Sequence, residues 1–417
     1  MRYLAAFLSL ILCLLGLWLS LQVGASRLLS NYSLGANYLA AANESIKWSG
    51  ADPEAHYARA VILLNGGRTA AAIREFETAV ALRPRDYFLW LELGRAREQA
   101  NDQQGARAAL QEAVKLAPYY AQPRWEFGNL LLREGQFKEA FTELNQAVGS
   151  EPHLLPVLID LAWGASHENA ALVNQLVQPH DNSGRLVLAN FFVKHGKIAE
   201  AVALFRAATG ISDEERSELL AQLIKARKFR EAYEVWRSGD AATDRNSSGL
   251  NTIINPGFED RIDLNNHGFG WQLATQATQA KTVNIALDNR DVHTGLYSLS
   301  VEFNGDSSPA LQVISQFVLI DPGARYKLSF SAHTQQLVSG GLPVIVVSDA
   351  SSTDERVLEK SVTLPPNASA WRDFSFEFTA PKTSDAIQLS LQRQSCSSQP
   401  CPAFGHIRLD DFSLQKL

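Results

Sequence analysis

Three prolines, Pro84, Pro118 and Pro152, recur at a constant spacing of 34 residues. Each one closes a segment that has the same order of small and bulky positions. A period of this size is typical of stacked helical hairpins, because one hairpin is too small to bury its own apolar face and shares it with its neighbours. The spacing therefore predicts an α-solenoid that presents an extended binding surface.

The residues between the prolines agree with this prediction. In the central copy, counted from Tyr87, positions 8, 20, 24 and 27 hold Gly94, Ala106, Leu110 and Ala113. Small residues let two helices approach closely, and the proline stops the second helix. The pattern resembles the tetratricopeptide repeat. The resemblance implies helical hairpins over residues 34–238, irregular after the third copy, with residues 34–48 as a helix that caps the stack.

The same resemblance indicates which side chains line the groove of the solenoid. They are Tyr57, Phe88, Leu91, Arg95, Trp125, Asn129 and Arg133. The three aromatic residues among them would form a stripe that anchors an extended peptide or a partner helix. The other interpretation is that the stripe packs against another part of this chain.

The N-terminal segment predicts a membrane anchor at residues 1–27. No charged residue lies between Arg2 and Arg27. This length suits a membrane-spanning helix, which needs about 20 apolar residues, and exceeds the ~7 to 15 apolar residues of a signal peptide. A cleaved signal is the alternative, since Val23-Gly24-Ala25 offers small residues for cleavage. Both place the rest of the chain on the periplasmic or extracellular side, secreted if cleavage occurs.

Two of the three cysteines lie outside this segment, in the sequence CSSQPC. Cys396 and Cys401 are close enough to form a small disulfide loop, which fits an oxidising compartment. The alternatives are reduced thiols or a metal pair. A metal pair is disfavoured, because structural zinc takes four ligands.

The composition changes near residue 240, where helical periodicity gives way to a polar linker at 239–250 and then to short alternating runs rich in Val, Ile, Ser, Thr and Phe. Such runs are typical of strands. They lie at 296–303, 311–319, 326–333, 343–347, 357–363, 371–378, 386–392 and 406–414. This pattern predicts an antiparallel β-sandwich of the jelly-roll kind at residues 251–417, and hence a multidomain α plus β protein.

Short stretches of this region resemble carbohydrate-binding modules of families 4 and 9. They include NPGFE from Asn255, HTGLYSLSV from His293, WRDFSFEFTAP from Trp371 and IRLDDFSL from Ile407, in that order. The resemblance implies a glycan on an outer sheet face and tryptophans, Trp271 and Trp371, in the core.

Strand alternation selects candidate glycan ligands. The polar side chains that should point away from the core are Lys327, Ser329, His333, Gln388 and Gln392. They supply amide, hydroxyl and charged partners, whereas the sequence shows no evident aromatic platform. A solvated polar face is the other interpretation, because antiparallel sheets often expose one side.

The resemblance also implies a structural calcium ion held by Glu259 and Asp410, with Asp411 as the neighbouring alternative. Oxygen ligands of this kind suit calcium. Two carboxylates also suit a glycosidase, but no further part of the chain resembles a catalytic domain, and the motifs GxxxxGK, HExxH and GxSxG are absent from the sequence. A net charge of −6 gives no general attraction to nucleic acid.

The sequence thus favours a non-catalytic, membrane-tethered scaffold. Its solenoid would bind a protein partner and its sandwich a polysaccharide, in the assembly or export of cell-surface or extracellular polysaccharide. The alternative is a structural adaptor of an envelope or secretion complex that binds no glycan.

Overall fold

The computed structural model describes residues 2–239, 249–262, 268–273, 282–306, 308–354, 356–397 and 400–417. The described residues form fourteen α-helices followed by ten β-strands, the predicted α plus β organisation. The chain divides into two compact units, Met1–Gln178 and Pro179–Leu417. Most of the predicted linker, residues 240–248, lies outside the described part of the chain.

The first unit is helical. Its elements are α1 (Arg2–Ala36), α2 (Leu39–Trp48), α3 (Pro53–Asn65), α4 (Thr69–Leu82), α5 (Tyr87–Gln99), α6 (Gln103–Leu116), α7 (Ala121–Arg133), α8 (Phe137–Ser150), a short 3₁₀ helix (Pro152–Leu154), α9 (Leu155–Ala165) and α10 (Ala170–Val177). Helices α3 to α8 pair as three antiparallel hairpins, one for each copy of the repeat. The predicted solenoid is therefore confirmed.

Small residues bring the helices of each hairpin together. A Cβ atom added to Gly94 of α5 would lie 2.7 Å from Leu110 of α6, and one added to Gly128 of α7 would lie 2.7 Å from Leu144 of α8. Both leucines are buried. The leucine at position 24 of the repeat thus occupies the space that the glycine at position 8 leaves open.

Helix α1 joins the predicted anchor to the solenoid without a break. Its segment Phe7–Ala36 is apolar and long enough to cross a membrane, with a mean hydropathy of 2.1. The chain turns at Asn37, whose φ is 48°. The expected capping helix therefore begins at Leu39 and not at residue 34, because the residues before Asn37 continue α1.

The last part of α1 packs on the solenoid through a face of serines. Ser26, Ser30 and Ser33 are buried, and α1 contacts both α2 and α3. The Ser30 and Ser33 hydroxyls donate to the backbone carbonyls of Ser26 and Ser30, respectively, so these two small side chains are buried with their hydroxyl groups hydrogen-bonded. Helices α1 and α2 thus form the first hairpin of the array.

The second unit combines four helices with the β-sandwich. Its helices are α11 (Asn182–Lys194), α12 (Ile198–Ala207), α13 (Asp213–Lys225) and α14 (Phe229–Arg237). Its strands are β1 (Gln272–Leu273), β2 (Val283–Asp288), β3 (Ser298–Asp306), β4 (Ile314–Leu319), β5 (Arg325–Ser339), β6 (Pro343–Asp349), β7 (Val357–Lys360), β8 (Arg372–Thr379), β9 (Ala386–Arg393) and β10 (Pro402–Lys416).

The strands form two antiparallel five-stranded sheets, in the orders β1-β4-β9-β6-β7 and β2-β3-β10-β5-β8. The eight predicted strands correspond to β3 through β10. Strands β1 and β2 are additional, although Val283, Ile285 and Leu287 alternate in β2 as a strand requires. One continuous core, which includes Tyr326 and Phe330, fills the space between the sheets.

Helix α14 packs directly on the sandwich. The ring of Phe229 lies 5.1 Å from that of Phe317 on β4, and Trp236 lies 5.8 Å from Phe269. Just before α14, the Arg227 guanidinium donates to the Ala350 carbonyl at 2.5 Å. These contacts explain why helices α11 to α14 belong to the same compact unit as the sandwich, although the repeat pattern assigns them to the solenoid.

We expect Phe229→Ala to destabilise this unit as a whole. Phe229 is buried, and removing a buried phenylalanine side chain costs about 3–5 kcal/mol. Denaturant unfolding followed by far-ultraviolet circular dichroism and tryptophan fluorescence should show the helical and β signals lost together at lower denaturant. Phe137→Ala, at an exposed phenylalanine, should change the free energy of unfolding by about 0.5 kcal/mol or less. A loss below about 1 kcal/mol for Phe229→Ala would contradict the shared core.

We expect Gly94→Ala to destabilise the solenoid by about 1–3 kcal/mol, because the added methyl group overpacks the space that Leu110 fills. The matched control is Gly149→Ala in α8, where a Cβ atom meets nothing within 4 Å. This control should be neutral or stabilising by up to about 1 kcal/mol, since alanine favours the helix. Urea unfolding measures both, and equal effects would contradict the packing described for position 8.

Candidate functional site

The sheet β2-β3-β10-β5-β8 turns one side to the core and the other outward. On β10, Ala403, Ile407 and Leu409 belong to the core. Because side chains alternate along a strand, Phe404, His406 and Arg408 project from the opposite side. We call this outward side, with the adjoining outward residues of β2, β3 and β5, the β10 face.

An exposed aromatic residue lies at one end of the β10 face. Phe404 is 48% exposed, and its register partners are Asn304 on β3 and Val338 on β5. Val338 is itself 67% exposed. An apolar ring beside an amide suits a sugar, whose C–H groups stack on the ring while its hydroxyl groups hydrogen-bond to the amide. Phe404 thus provides an aromatic platform.

Polar side chains form the next row of the face. His406 pairs in register with Glu302 on one side and Gln335 on the other. The Glu302 carboxylate lies 3.8 Å from His406 Nε2, and it accepts a hydrogen bond from the Asn284 amide at 3.5 Å. This row offers donors and acceptors next to the aromatic platform.

A charged network closes the other end of the face, with Asp291 at its centre. Its carboxylate accepts from the Trp371 indole at 2.8 Å, lies 2.6 Å from His333 Nδ1, and lies 3.3 Å from Arg408. The second ring nitrogen of His333 lies 3.1 Å from the Ala368 carbonyl. Both ring nitrogens are therefore engaged, and the ring is fixed in position.

The neighbouring carboxylate of Asp288 shares Arg408 with this network. The Arg408 Nε atom donates to Asp288 at 3.1 Å. Burial opposes ionisation of Asp288, but hydrogen bonds from Arg290 and Arg408 outweigh it and lower the pKa of this carboxyl group. The network thus holds two carboxylates beside one guanidinium.

Trp371 lies in this network and not in the core, where the resemblance placed it. Its indole lies between the rings of His293 and His333, at centroid distances of 5.5 Å and 5.9 Å. On β8, Phe374 and Phe376 pack against the core, so alternation turns residue 371 outward. Trp271, in contrast, is buried in the core as expected.

The structure does not bring the five predicted glycan ligands together. Lys327, Ser329 and His333 lie on β5, whereas Gln388 and Gln392 lie on β9 of the other sheet. The expectation that all five surround one ligand is therefore wrong, because strand alternation shows which residues point outward but not which sheet a strand joins.

The surroundings of the two glutamines confirm this separation. The amide groups of Gln388 and Gln312 hydrogen-bond to each other, at 2.9 Å and 3.2 Å. The register neighbour of Gln388 is Phe317, which α14 covers through Phe229. The Gln392 amide donates to Ser390 at 2.9 Å. The outer side of this sheet is thus partly occupied by a helix of the same unit.

Four residues of the β10 face were not predicted from the sequence: Phe404, Glu302, Asn304 and His406. A signal for them was present, since Ala403, Ile407 and Leu409 alternate with polar or exposed positions in the last strand. The pairing of β10 with both β3 and β5 joins these residues into one surface. Such pairing over a long stretch of sequence is not a local property.

The two predicted calcium ligands converge on the segment 293–297. Asp410 is fully buried and accepts backbone N–H groups of His293, Thr294 and Asp411, while Glu259 accepts those of Leu296 and Tyr297. Burial raises the pKa of Asp410, although these donors oppose the shift. The carboxylate oxygens suit a hard cation. Calcium at this position stays a prediction.

Cys396 and Cys401 form the expected disulfide, with Cα atoms 6.0 Å apart. The buried guanidinium of Arg393 donates to the Cys401 carbonyl at 2.8 Å and to the Ser339 hydroxyl at 2.8 Å. Burial lowers the pKa of Arg393. The disulfide loop is thus attached to β5 and β9 through one arginine side chain.

The predicted groove residues of the solenoid lie on α3, α5 and α7. Tyr57 and Phe88 are half-buried, and their rings lie 5.5 Å apart. Burial raises the pKa of the Tyr57 hydroxyl. Leu91 is fully buried in the helix core and cannot contact a partner directly, so its assignment to the groove surface is wrong.

Two of the remaining groove residues, Arg95 and Arg133, are charged. Arg95 donates to Glu126 at 2.5 Å and to Glu92 at 2.7 Å, which links α5 to α7. Arg133 pairs with Glu98. Trp125 and Asn129 are half-buried on α7. The structure thus places an aromatic pair and two arginines along successive first helices of the repeat.

Comparisons with known proteins match both the helical region and the β-sandwich of the chain. A family model described as tetratricopeptide repeat matches residues 30–87 and 57–121, and one described as carbohydrate binding domain matches residues 250–400. No curated protein sequence matches this chain.

Several solved structures are similar to parts of the chain. MamA from Desulfovibrio magneticus RS-1 is 20% identical, with a TM-score of 0.33, over 38% of this chain and 97% of its own. YrrB, a tetratricopeptide repeat protein with an unusual peptide-binding site, is 18% identical, with a TM-score of 0.32, over 38% of this chain and 86% of its own. A CBM4 structure is 17% identical, with a TM-score of 0.30, over 40% of this chain and 100% of its own. The chain thus carries tetratricopeptide repeats followed by a carbohydrate-binding domain of the CBM4/9 type.

Proposed function

We propose that this protein is a non-catalytic scaffold, tethered to a membrane, that binds a protein partner in its solenoid groove and a polysaccharide on its sandwich. Its two matched modules are binding modules. The combination suits the assembly or export of cell-surface or extracellular polysaccharide, where a growing chain and the proteins that handle it are held together.

The glycan assignment rests on one observation, the exposed aromatic ring and the adjacent polar side chains of the β10 face. Phe404 offers an exposed ring with Asn304 beside it, and the next row supplies Glu302, His406 and Gln335. A hydroxyl-rich ligand needs this combination of an apolar platform and fixed polar partners.

The other sheet is less suited to a glycan. Phe229 of α14 covers Phe317, and Gln388 is paired with Gln312. A glycan there would have to displace protein contacts that stabilise the unit. We therefore assign the ligand to the β10 face, with His333 and Trp371 at one end of the site.

The groove of the solenoid is assigned to a protein segment. Tyr57 and Phe88 present an aromatic pair, and Arg95 and Arg133 supply fixed positive charge, although both arginines have carboxylate partners. Aromatic and arginine side chains are enriched among the residues that dominate binding energy at protein interfaces. An extended peptide with aromatic or acidic residues fits this chemistry.

The location on the exported side of a membrane rests on two features. Helix α1 is apolar and long enough to span a bilayer, and the Cys396–Cys401 disulfide fits an oxidising compartment. Domains tethered on the non-cytoplasmic side of a membrane would lie where cell-surface polysaccharide is assembled. The segment would act as an anchor, because α1 continues into the solenoid.

We expect Phe404→Ala to weaken polysaccharide binding at least tenfold, about 1.4 kcal/mol, because it removes the aromatic platform. The test uses the detergent-solubilised full chain on an array of bacterial and plant polysaccharides, with calcium present. Val357→Ala changes an exposed apolar residue of the other sheet, and it should leave binding unchanged.

Two outcomes would contradict the assignment. Binding that survives Phe404→Ala but is lost on Gln388→Ala would place the glycan on the other sheet. A folded chain that binds no polysaccharide at all would contradict the glycan function and favour a structural adaptor of an envelope complex.

We further expect calcium to stabilise the sandwich, through oxygens of Glu259 and Asp410. A ligand at 100 times its dissociation constant stabilises the folded state by about 2.7 kcal/mol, which raises the thermal midpoint. Glu259→Gln should remove this response, whereas Asp354→Asn, at an exposed carboxylate, should retain it. A thermal midpoint that is the same in calcium and in chelator would contradict the calcium site.

A further inference from the structure

The turns of the first unit fall on two opposite edges. Because consecutive helices run antiparallel, the turns between repeats, at residues 49–52, 83–86 and 117–120, lie on one edge. The turns within repeats, at residues 66–68, 100–102 and 134–136, lie on the other. We call the first the inter-repeat edge and the second the opposite edge.

The apolar end of α1 lies beside the inter-repeat edge. Helix α1 runs toward the opposite edge, where the chain turns at Asn37, and α2 runs back for 10 residues. The side chain of Arg27 lies 3.6 Å from that of Asp52, in the first turn of the inter-repeat edge. The uncharged segment ends at Arg27. Along the axis of α1, this residue therefore lies at the same height as the turn at residues 49–52.

Because α1 is one continuous helix, the position of Arg27 beside this turn determines how far the solenoid lies from the membrane. The helix has no break between Arg2 and Ala36, and Gln22 to Ser33 already includes positions packed on the solenoid. A hydrocarbon core takes about 20 apolar residues of helix. If these begin at Tyr3, the bilayer surface falls within a few residues of Arg27, so no spacer separates the solenoid from the membrane.

The inter-repeat edge carries side chains suited to a bilayer surface. Its turns and their flanking residues expose Trp48, Leu82, Tyr119 and Tyr120, with Tyr119 87% exposed. The ring of Tyr120 is held 5.1 Å from that of Tyr87. The opposite edge exposes Tyr38 and Phe137, but its turns have the sequences GGR, AND and EGQ. Tyrosine and tryptophan are enriched at membrane–water interfaces, where one end of the ring is apolar and the other polar.

We infer that the inter-repeat edge of the solenoid rests on the bilayer that α1 spans, with Trp48, Tyr119 and Tyr120 in the headgroup region. The partner is the lipid surface itself, at the place where α1 leaves the bilayer. This inference rests on the proposed membrane tether. It assigns the exposed aromatic residues of this edge to lipid, and it leaves the groove residues Tyr57 and Phe88 to the protein partner.

Fluorophore-labelled single cysteines test the inference in the full chain. The protein is reconstituted in vesicles of phosphatidylcholine and phosphatidylglycerol (3:1), with the Cys396–Cys401 disulfide kept oxidised. Gly50→Cys and Tyr119→Cys, each with Cys13→Ser, place a label on the inter-repeat edge. Gly50 has room for a side chain, since an added Cβ atom meets its nearest neighbour at 3.6 Å. Asn101→Cys with Cys13→Ser is the matched control on the opposite edge.

A nitroxide on the lipid headgroup should quench the labels at positions 50 and 119 at least twofold more than the label at position 101. Equal quenching at all three positions would overturn the inference. The native Cys13, labelled in the unchanged chain, separates this failure from that of the tether. Quenching of Cys13 by a nitroxide on the acyl chain shows an inserted span, and its absence would overturn the tether together with the contact of the edge.

Discussion

A helical hairpin of this length cannot bury its apolar face alone, and this constraint shapes both ends of the helical region. Every hairpin needs a neighbour, so the first and last must be covered by something other than another repeat. At the start, the buried serine face of α1 covers α2 and α3. At the end, α14 turns Phe229 and Trp236 to the sandwich.

The contact between α14 and the sandwich also determines which of the two sheets has an open outer side. Because Phe229 lies on Phe317, the sheet that contains β4 and β9 gives part of its outer side to a helix. The sheet that contains β10 keeps Phe404 and Val338 exposed. The same apolar contact that stabilises the unit therefore covers part of one sheet and leaves the β10 face open. The Asp291 network fixes Trp371 and His333 at its end, so binding would order few side chains and lose little entropy.

The sequence predicted those features that depend on local pattern. The spacing of Pro84 and Pro118 and the small residues between them identify the hairpins, and alternation identifies eight strands. It could not show that Lys327 and Gln388 lie in different sheets, because pairing is set by contacts far apart in the chain. Phe404 was missed because it lies just before the predicted run 406–414, in the part of β10 that pairs with β3 and β5. The repeat pattern also gave no sign that the aromatic side chains of α14 pack on the sandwich, because that contact joins residues far apart in the sequence.

The unbroken course of α1 has a consequence for the angular position of the solenoid. A residue of α-helix advances about 1.5 Å and turns about 100°. Since no flexible joint lies between Phe7 and Ala36, one residue added before Ser26 would turn the whole first unit by that angle about the helix axis. The direction in which the groove opens, relative to the residues at the start of α1, is thus set by the number of residues in that helix.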